Sequence, residues 1–193
     1  MKLPKTFRPD KDLEEKTKQL VKSAGVIAHF DARLDNLFEG CKDFIKKTGI
    51  AGVEEAYHIA QDIIGDINYS MTDVEELSAK IKKGPSKLGF YFSALVNRVI
   101  PDGGVITLDL NWTFDGVGCY LDKGLLQING DVGNFAGAYI DGGEIYIAGS
   151  TQDYLAHNSK SGTIIVQGIL GKISEDTSTN VMIYNKMEKV WPR

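Results

Sequence analysis

The sequence predicts an α+β chain in two parts: an N-terminal α-helical domain over residues 1–100, then a parallel β-helix over 101–193 with about 19 residues per coil. Three observations carry the prediction. Glycine-bounded segments recur at a fixed interval, since GLLQING begins at Gly124, GEIYIAG at Gly143 and GTIIVQG at Gly162, each 19 residues after the last. Inside them apolar residues alternate with others at the period of a strand, whereas before residue 101 apolar residues recur at helical spacing. Charge divides at the same place: residues 1–100 hold 16 Lys/Arg against 15 Asp/Glu, and 101–193 hold 6 against 11.

The helices come first along the chain. Pro9-Asp10 opens the first, with Leu13, Leu20 and Val21 on its apolar side and Gly25 as its stop. From Asp31, the positions Leu34, Leu37, Phe38, Cys41, Phe44 and Ile45 follow the i, i+3, i+4, i+7 rule as far as Gly49. A third helix runs through Val53, Tyr57, Ala60 and Ile64 to about Ile67. In TDVEELSAKIKKG, Thr72 and Glu75 have capping-box spacing and Gly84 follows as terminator. The segment PSKLGFYFSALVNRVIP gives a helical stripe of Leu88, Phe92, Leu95, Val96 and Val99, with Ser86 as cap and Pro101 beyond the end; its FYF run also fits a strand, and the longer stripe decides for helix.

In the solenoid the columns matter more than the glycines. Ile106, Leu126, Ile145, Ile164 and Ile183 form one apolar column, and Leu108, Ile128, Ile147 and Val166 a second. Thr107, Gln127, Tyr146, Ile165 and Tyr184 stand between them, so each segment is a strand with one face inward. GVITLDL at Gly104 precedes Gly124 by 20 residues, and VMIYNKM from Val181 is a fading last copy. Phe135, Tyr154 and Ile173 are expected to build a second inner wall. The glycines read as coil corners rather than a phosphate cradle: Gly130, Gly133 and Gly137 match neither the dinucleotide nor the P-loop spacing, and no lysine-bearing helix follows.

A stack of parallel strands exposes unpaired edges at both ends. The helix from Leu88 to Val99 is expected to cover the Gly104 coil. At the other end Lys186, Glu188 and Lys189 are expected to act as charged blockers and Trp191 as a lid.

GDVGNFAGAYIDGGEIYIAG resembles the glycine-patterned GXGXG repeat found in the C-terminal domain of the large chain of glutamate synthase and in one of the component chains of formylmethanofuran dehydrogenase. The likeness covers residues 102–184, clearest from Gly124 to Gly149, and later coils depart from it: Gln152 stands where Gly133 stood and Ala156 where Gly137 stood. The resemblance implies a right-handed β-helix, a structural element within larger enzymes, with no catalytic residue to carry over. Residues 1–100 fall outside it, as do the flavin, iron-sulfur and amidotransferase parts of glutamate synthase.

Few residues suggest chemistry. Asp102, Asp122 and Asp141 occupy equivalent turns, a row able to hold a cation or the acid and base of a carbohydrate-active β-helix; the row ends at Lys160, and Asp-Gly is also an ordinary turn sequence. His29 and His58 lack a second ligand at metal spacing, and His157 lies four residues from Asp153 without needing to meet it, so it reads as surface decoration. Cys41 and Cys119 read as small buried apolar residues. Lys80, Lys82, Lys83 and Lys87 fit a helix C-terminus better than an anion patch.

The expectation is therefore a non-catalytic scaffold or assembly module without cofactor or catalytic residue, contacting a protein partner, with a homo-oligomer also open. The alternative is a β-helix enzyme, or a cation- or carbohydrate-binding protein, working through the Asp row; an aromatic-lined cleft beside that row favours it, and a flat, shielded row favours the scaffold. An acidic second half argues against nucleic acid. With no apolar run near the roughly 18 residues that cross a bilayer and a charged opening stretch, the expected location is cytoplasmic.

Overall fold

Ile106, Leu126, Ile145, Ile164 and Ile183 stand in register one above another, each buried, in the parallel strands of a computed structural model. The structure describes residues 32–49, 51–65 and 67–192; the helix expected from Pro9 to Gly25, the start at Asp31 and His29 lie outside them. Four helices precede the sheet: α1 (Ala32–Thr48), α2 (Val53–Ile64), α3 (Met71–Lys80) and α4 (Leu88–Val99). Six strands follow, β1 (Val105–Asp109), β2 (Leu125–Asn129), β3 (Asp141–Ile147), β4 (Ser161–Val166), β5 (Val181–Asn185) and β6 (Glu188–Trp191), adjacent in chain order in one sheet. β1 to β5 pair in parallel, making a β-solenoid of about four turns.

The strands behave as the columns require. Leu108, Ile128, Ile147 and Val166 are buried beside the first column, and the intervening residues are partly exposed. Gly124 and Gly143 hold φ of +71° and +65°, a conformation that costs other residues about 1–2 kcal/mol. Gly149 has ordinary φ, but a Cβ there would lie 2.3 Å from the Gly130 carbonyl oxygen, so the corner needs glycine for closeness alone.

The expected wall of Phe135, Tyr154 and Ile173 is not inside. Phe135 and Ile173 are half-buried and Tyr154 is 50% exposed. Inward alternation is a property of extended backbone, and Phe135 and Tyr154 both have φ +61°. The inner columns opposite the strands are Val117, Ala136, Leu155 and Ser174, and Leu121, Ile140 and Ser159, all buried. Their size varies from coil to coil and both end in serine, which hides their periodicity.

Three helix boundaries also move. α3 is capped by Ser70, whose Oγ accepts from the Asp73 amide while Asp73 Oδ2 accepts from the Ser70 amide, so the capping box starts two residues before Thr72. α3 ends at Lys80, with Ile81 extended, ahead of Gly84. α2 likewise ends at Ile64 rather than Ile67. Ser86 makes no side-chain cap; its carbonyl accepts from the Asp115 amide at 2.7 Å.

α4 is buried at every residue from Leu88 to Val96, and Val99 only partly. Two faces explain this. Tyr91 packs on Phe44 and donates to the Leu37 carbonyl of α1, while Phe92 meets Phe114 of the first coil.

The covering of the first coil is divided between two helices. Thr107 and Asp109 amides of β1 donate to Glu75 Oε1 at 2.9 Å and Ser78 Oγ at 3.0 Å, both on α3. α4 serves the rest of the coil: Ser93 Oγ accepts from the Gly118 amide at 2.8 Å and donates to the Gly116 carbonyl, and Asn97 Nδ2 donates to the Cys119 carbonyl. One coil further on, the Gly137 amide finds the Val117 carbonyl instead. Side chains of α3 and α4 thus stand in for the backbone of a coil that is not there. The expected cover, Leu88 to Val99, supplies half of this, because a helix side chain reaches only the backbone nearest to it.

At the opposite end, β6 pairs antiparallel with β5 through a turn whose Lys186 and Met187 both have positive φ. Trp191 Nε1 donates to the Ser178 carbonyl at 3.0 Å, as a lid would. Glu188 and Lys189 are exposed on this added strand, where charge discourages further pairing. Among the described residues no helix is long and apolar enough to cross a membrane.

Candidate functional site

Asp102, Asp122 and Asp141 are the first candidates; all three are exposed. Asp141 Oδ2 accepts from Lys160 Nζ at 3.2 Å, and Asp122 lines a hollow beside Tyr57 and Tyr120. Another acidic column does the ladder's work: Asp115 Oδ1 accepts from the Asn134 amide, Asn134 Oδ1 from the Asp153 amide, and Asp153 Oδ1 from the Lys172 amide. Its regular D, N, D spacing of 19 residues is the signal that sequence reading overlooked. Among the described residues no group of three or more His, Cys, Asp or Glu is placed to hold a metal ion.

The lysine cluster is dispersed. Lys87 Nζ donates to the Gly49 and Ala51 carbonyls past the end of α1, Lys82 to Ala79 at the end of α3, and Lys83 lies 5.0 Å from the Trp112 ring. Cys41 and Cys119 are buried, and burial pushes both thiols well up, so neither is a nucleophile at neutral pH.

The unusual chemistry lies where the chain turns left-handed. In successive coils, Gly116, Gly118 and Tyr120, then Phe135, Gly137 and Tyr139, then Tyr154, Ala156 and Asn158 all have φ between +50° and +80°. The first triplet is G-x-G-x-Y, and each later coil replaces more of its glycine. Bulky residues at positive φ are rare and strained, yet here they stack. Tyr120 and Tyr139 lie 4.6 Å apart and 1° from parallel, and Phe135 and Tyr154 lie 4.8 Å apart at 9°. The helices extend one ladder, since Tyr57 of α2 stacks on Tyr120 at 4.3 Å. Stacking worth about 0.5–1.5 kcal/mol per pair offsets only part of a backbone cost of about 1–2 kcal/mol for each of the two residues in the pair.

Between this ladder and the outer face of α2 runs a groove of about 710 Å³, lined by Val53, Glu54, Glu55, His58, Ile59, Asp62, Phe135, Tyr139 and His157. His58 also borders a second hollow of about 590 Å³ with Tyr57, Asn97, Arg98, Tyr120 and Asp122. Burial, with the charge of Glu54 beside it, pushes the Tyr120 phenol up. Asn97 donates to Tyr57 Oη at 2.7 Å and to Cys119, while its buried Oδ1 has no donor among the described residues.

His157 sits edge-on to both Phe135 and Tyr139. Its Nδ1 lies 2.8 Å from Asp176 Oδ2 and 3.3 Å from Ser174 Oγ. Acid and hydroxyl crowd the same ring nitrogen, whereas a nucleophilic triad needs them on opposite nitrogens; Nε2 faces Asn158 Nδ2 at 3.2 Å instead. The arrangement fixes the ring and can bind a ligand, without activating a serine. Partial burial alone would push the Asp176 carboxyl up, but the Asn158 amide, the Ser174 hydroxyl and His157 together hold it below its ordinary value.

His157 meets Asp176 one coil away rather than Asp153, and sequence reasoning missed Asp176 and Asn158 altogether, as it did the part of Tyr57 in the ladder. The legible signal was Tyr120, Tyr139 and Asn158 at 19-residue spacing.

Comparison of the chain with protein-family models, curated proteins and solved structures finds no match.

Proposed function

We propose that this chain is a non-catalytic structural or assembly module of cytoplasmic complexes, a right-handed β-helix of the GXGXG kind that docks a protein partner along its side. One observation carries the reading: Tyr120, Phe135, Tyr139 and Tyr154 occupy left-handed positions, where glycine is cheapest, and they lie together on one face. Strain concentrated on one surface is a mark of function. The two ends of the stack are already occupied, by α3 with α4 and by β6, which leaves the sides for association. His157 gives the face a fixed polar group and no relay to a hydroxyl.

The test is capture from native extract on the tagged chain, compared with Phe135→Gly and Tyr154→Gly, substitutions the left-handed backbone accepts. A partner recovered in stoichiometric amount by the original chain and lost with the variants supports the module. Equal recovery by all three, or elution of the chain by itself, contradicts it.

A second reading follows from Asp122 beside the Tyr57–Tyr120 stack, an aromatic surface next to the Asp102/Asp122/Asp141 row. On that reading the row binds a cation or a sugar. The ring faces, however, are taken up by one another, leaving little platform for a sugar ring. Titration calorimetry with calcium, magnesium and oligosaccharides, flat in every case, removes this alternative.

A further inference from the structure

Resting on the docking reading above, we propose that the groove between α2 and the aromatic ladder seats an extended basic segment of the partner protein, with lysine or arginine side chains on Glu54, Glu55 and Asp62 and apolar side chains on Phe135 and Tyr139. The argument is charge complementarity on an apolar floor. Glu54, Glu55 and Asp62 are exposed along one wall, and the residues lining the main groove include no lysine or arginine. Neither Glu55 nor Asp62 has an ion-pair partner among the described residues, while Glu54 has only His58, at 4.0 Å. Asp122 continues the acidic wall into the second hollow, where the one cation among its lining residues, Arg98, is engaged with the Ile64 carbonyl and the Tyr69 ring.

The floor is apolar and immobilised. Phe135 and Tyr139 are locked by stacking and by the His157 ring, so a ligand meets a surface that needs no ordering on binding. α2 has 12 residues, a length of about 18 Å, which an extended segment of about five or six residues spans. A nucleic acid or an anionic lipid surface would meet the wrong charge.

The experiment is fluorescence anisotropy with a labelled peptide of about six residues alternating arginine and valine, and with its glutamate–valine counterpart, in about 0.15 M salt. The basic peptide is expected to bind and the acidic one not. The variant Glu54→Gln/Glu55→Gln/Asp62→Asn should weaken binding by about tenfold. Asp35→Asn/Glu144→Gln/Glu175→Gln removes the same charge from exposed positions elsewhere and should leave binding unchanged. Equal loss in both variants, or no binding of the basic peptide, overturns the assignment. Capture of the native partner separates the two levels: normal capture by the Glu54/Glu55/Asp62 variant keeps the docking reading and removes this groove from it, and loss of capture matching the loss of peptide supports both.

Discussion

If α3 replaces a missing coil, cutting its two acceptors from β1 should uncover a strand edge. The perturbation is Glu75→Ala with Ser78→Ala, which leaves the Thr107 and Asp109 amides, now bonded at 2.9 and 3.0 Å, without partners. A buried donor left unsatisfied costs about 1–3 kcal/mol. Thr107 is half-buried and Asp109 is exposed to water, so the second lies near the low end, and the pair together costs about 2–4 kcal/mol. With a urea slope of about 2 kcal/mol per molar, the unfolding midpoint should fall by about 1–2 M. The freed edge should also pair between molecules, so light scattering should show a concentration-dependent oligomer in the variant. A midpoint moved by less than about 0.3 M, with the variant in the same oligomeric state as the original, refutes the reasoning.

The strained ladder predicts an unusual tolerance. In Tyr154→Gly, backbone relief of about 1–2 kcal/mol works against lost stacking of about 0.5–1.5 kcal/mol and the extra freedom of unfolded glycine, about 0.5–1 kcal/mol; calorimetry should find stability within about 1 kcal/mol of the original, and a loss above about 3 kcal/mol would mean the ring is structural. Both thiols should resist a disulfide-exchange reagent in the native protein and react stoichiometrically in urea, since burial raises both and admits no reagent; fast native labelling of Cys119 would mean the solenoid opens there. Asp176, with its folded pKa depressed below the ordinary 3.8, adds stability that is fully present above that value and lost as pH falls through the lower folded one. Asp176→Asn should therefore flatten the decline of the urea midpoint below about pH 4, and an unchanged profile contradicts the hold of the Asn158 amide, the Ser174 hydroxyl and His157 on that carboxylate.

The solenoid was legible because strands repeat their chemistry: five residues from Ile106 to Ile183 keep the same apolar column from coil to coil. The ladder was half legible. Phe135 and Tyr154 declare their periodicity, but only φ tells that they stand outside, and the alternation rule assumes extended backbone. The surrogate coil was not legible at all. Glu75, Ser78 and Ser93 look like ordinary helical polar residues, and their role exists only once α3 and α4 lie against the first coil. Nor did spacing settle the α3 cap, since Ser70–Asp73 and Thr72–Glu75 offer the same pattern, and Glu75 is occupied by β1. The β5–β6 hairpin escaped because its turn residues, Lys186 and Met187, are not the glycine and asparagine that announce positive φ.

The most direct measurement places a photo-crosslinking phenylalanine analogue at Tyr154, on the aromatic face, and in a second protein at Met182, exposed on strand β5. Irradiated in native extract, the Tyr154 position should give one discrete protein adduct and the Met182 position none. Adducts of equal yield from both positions, or from Met182 only, would contradict the claim that the ladder is the working surface.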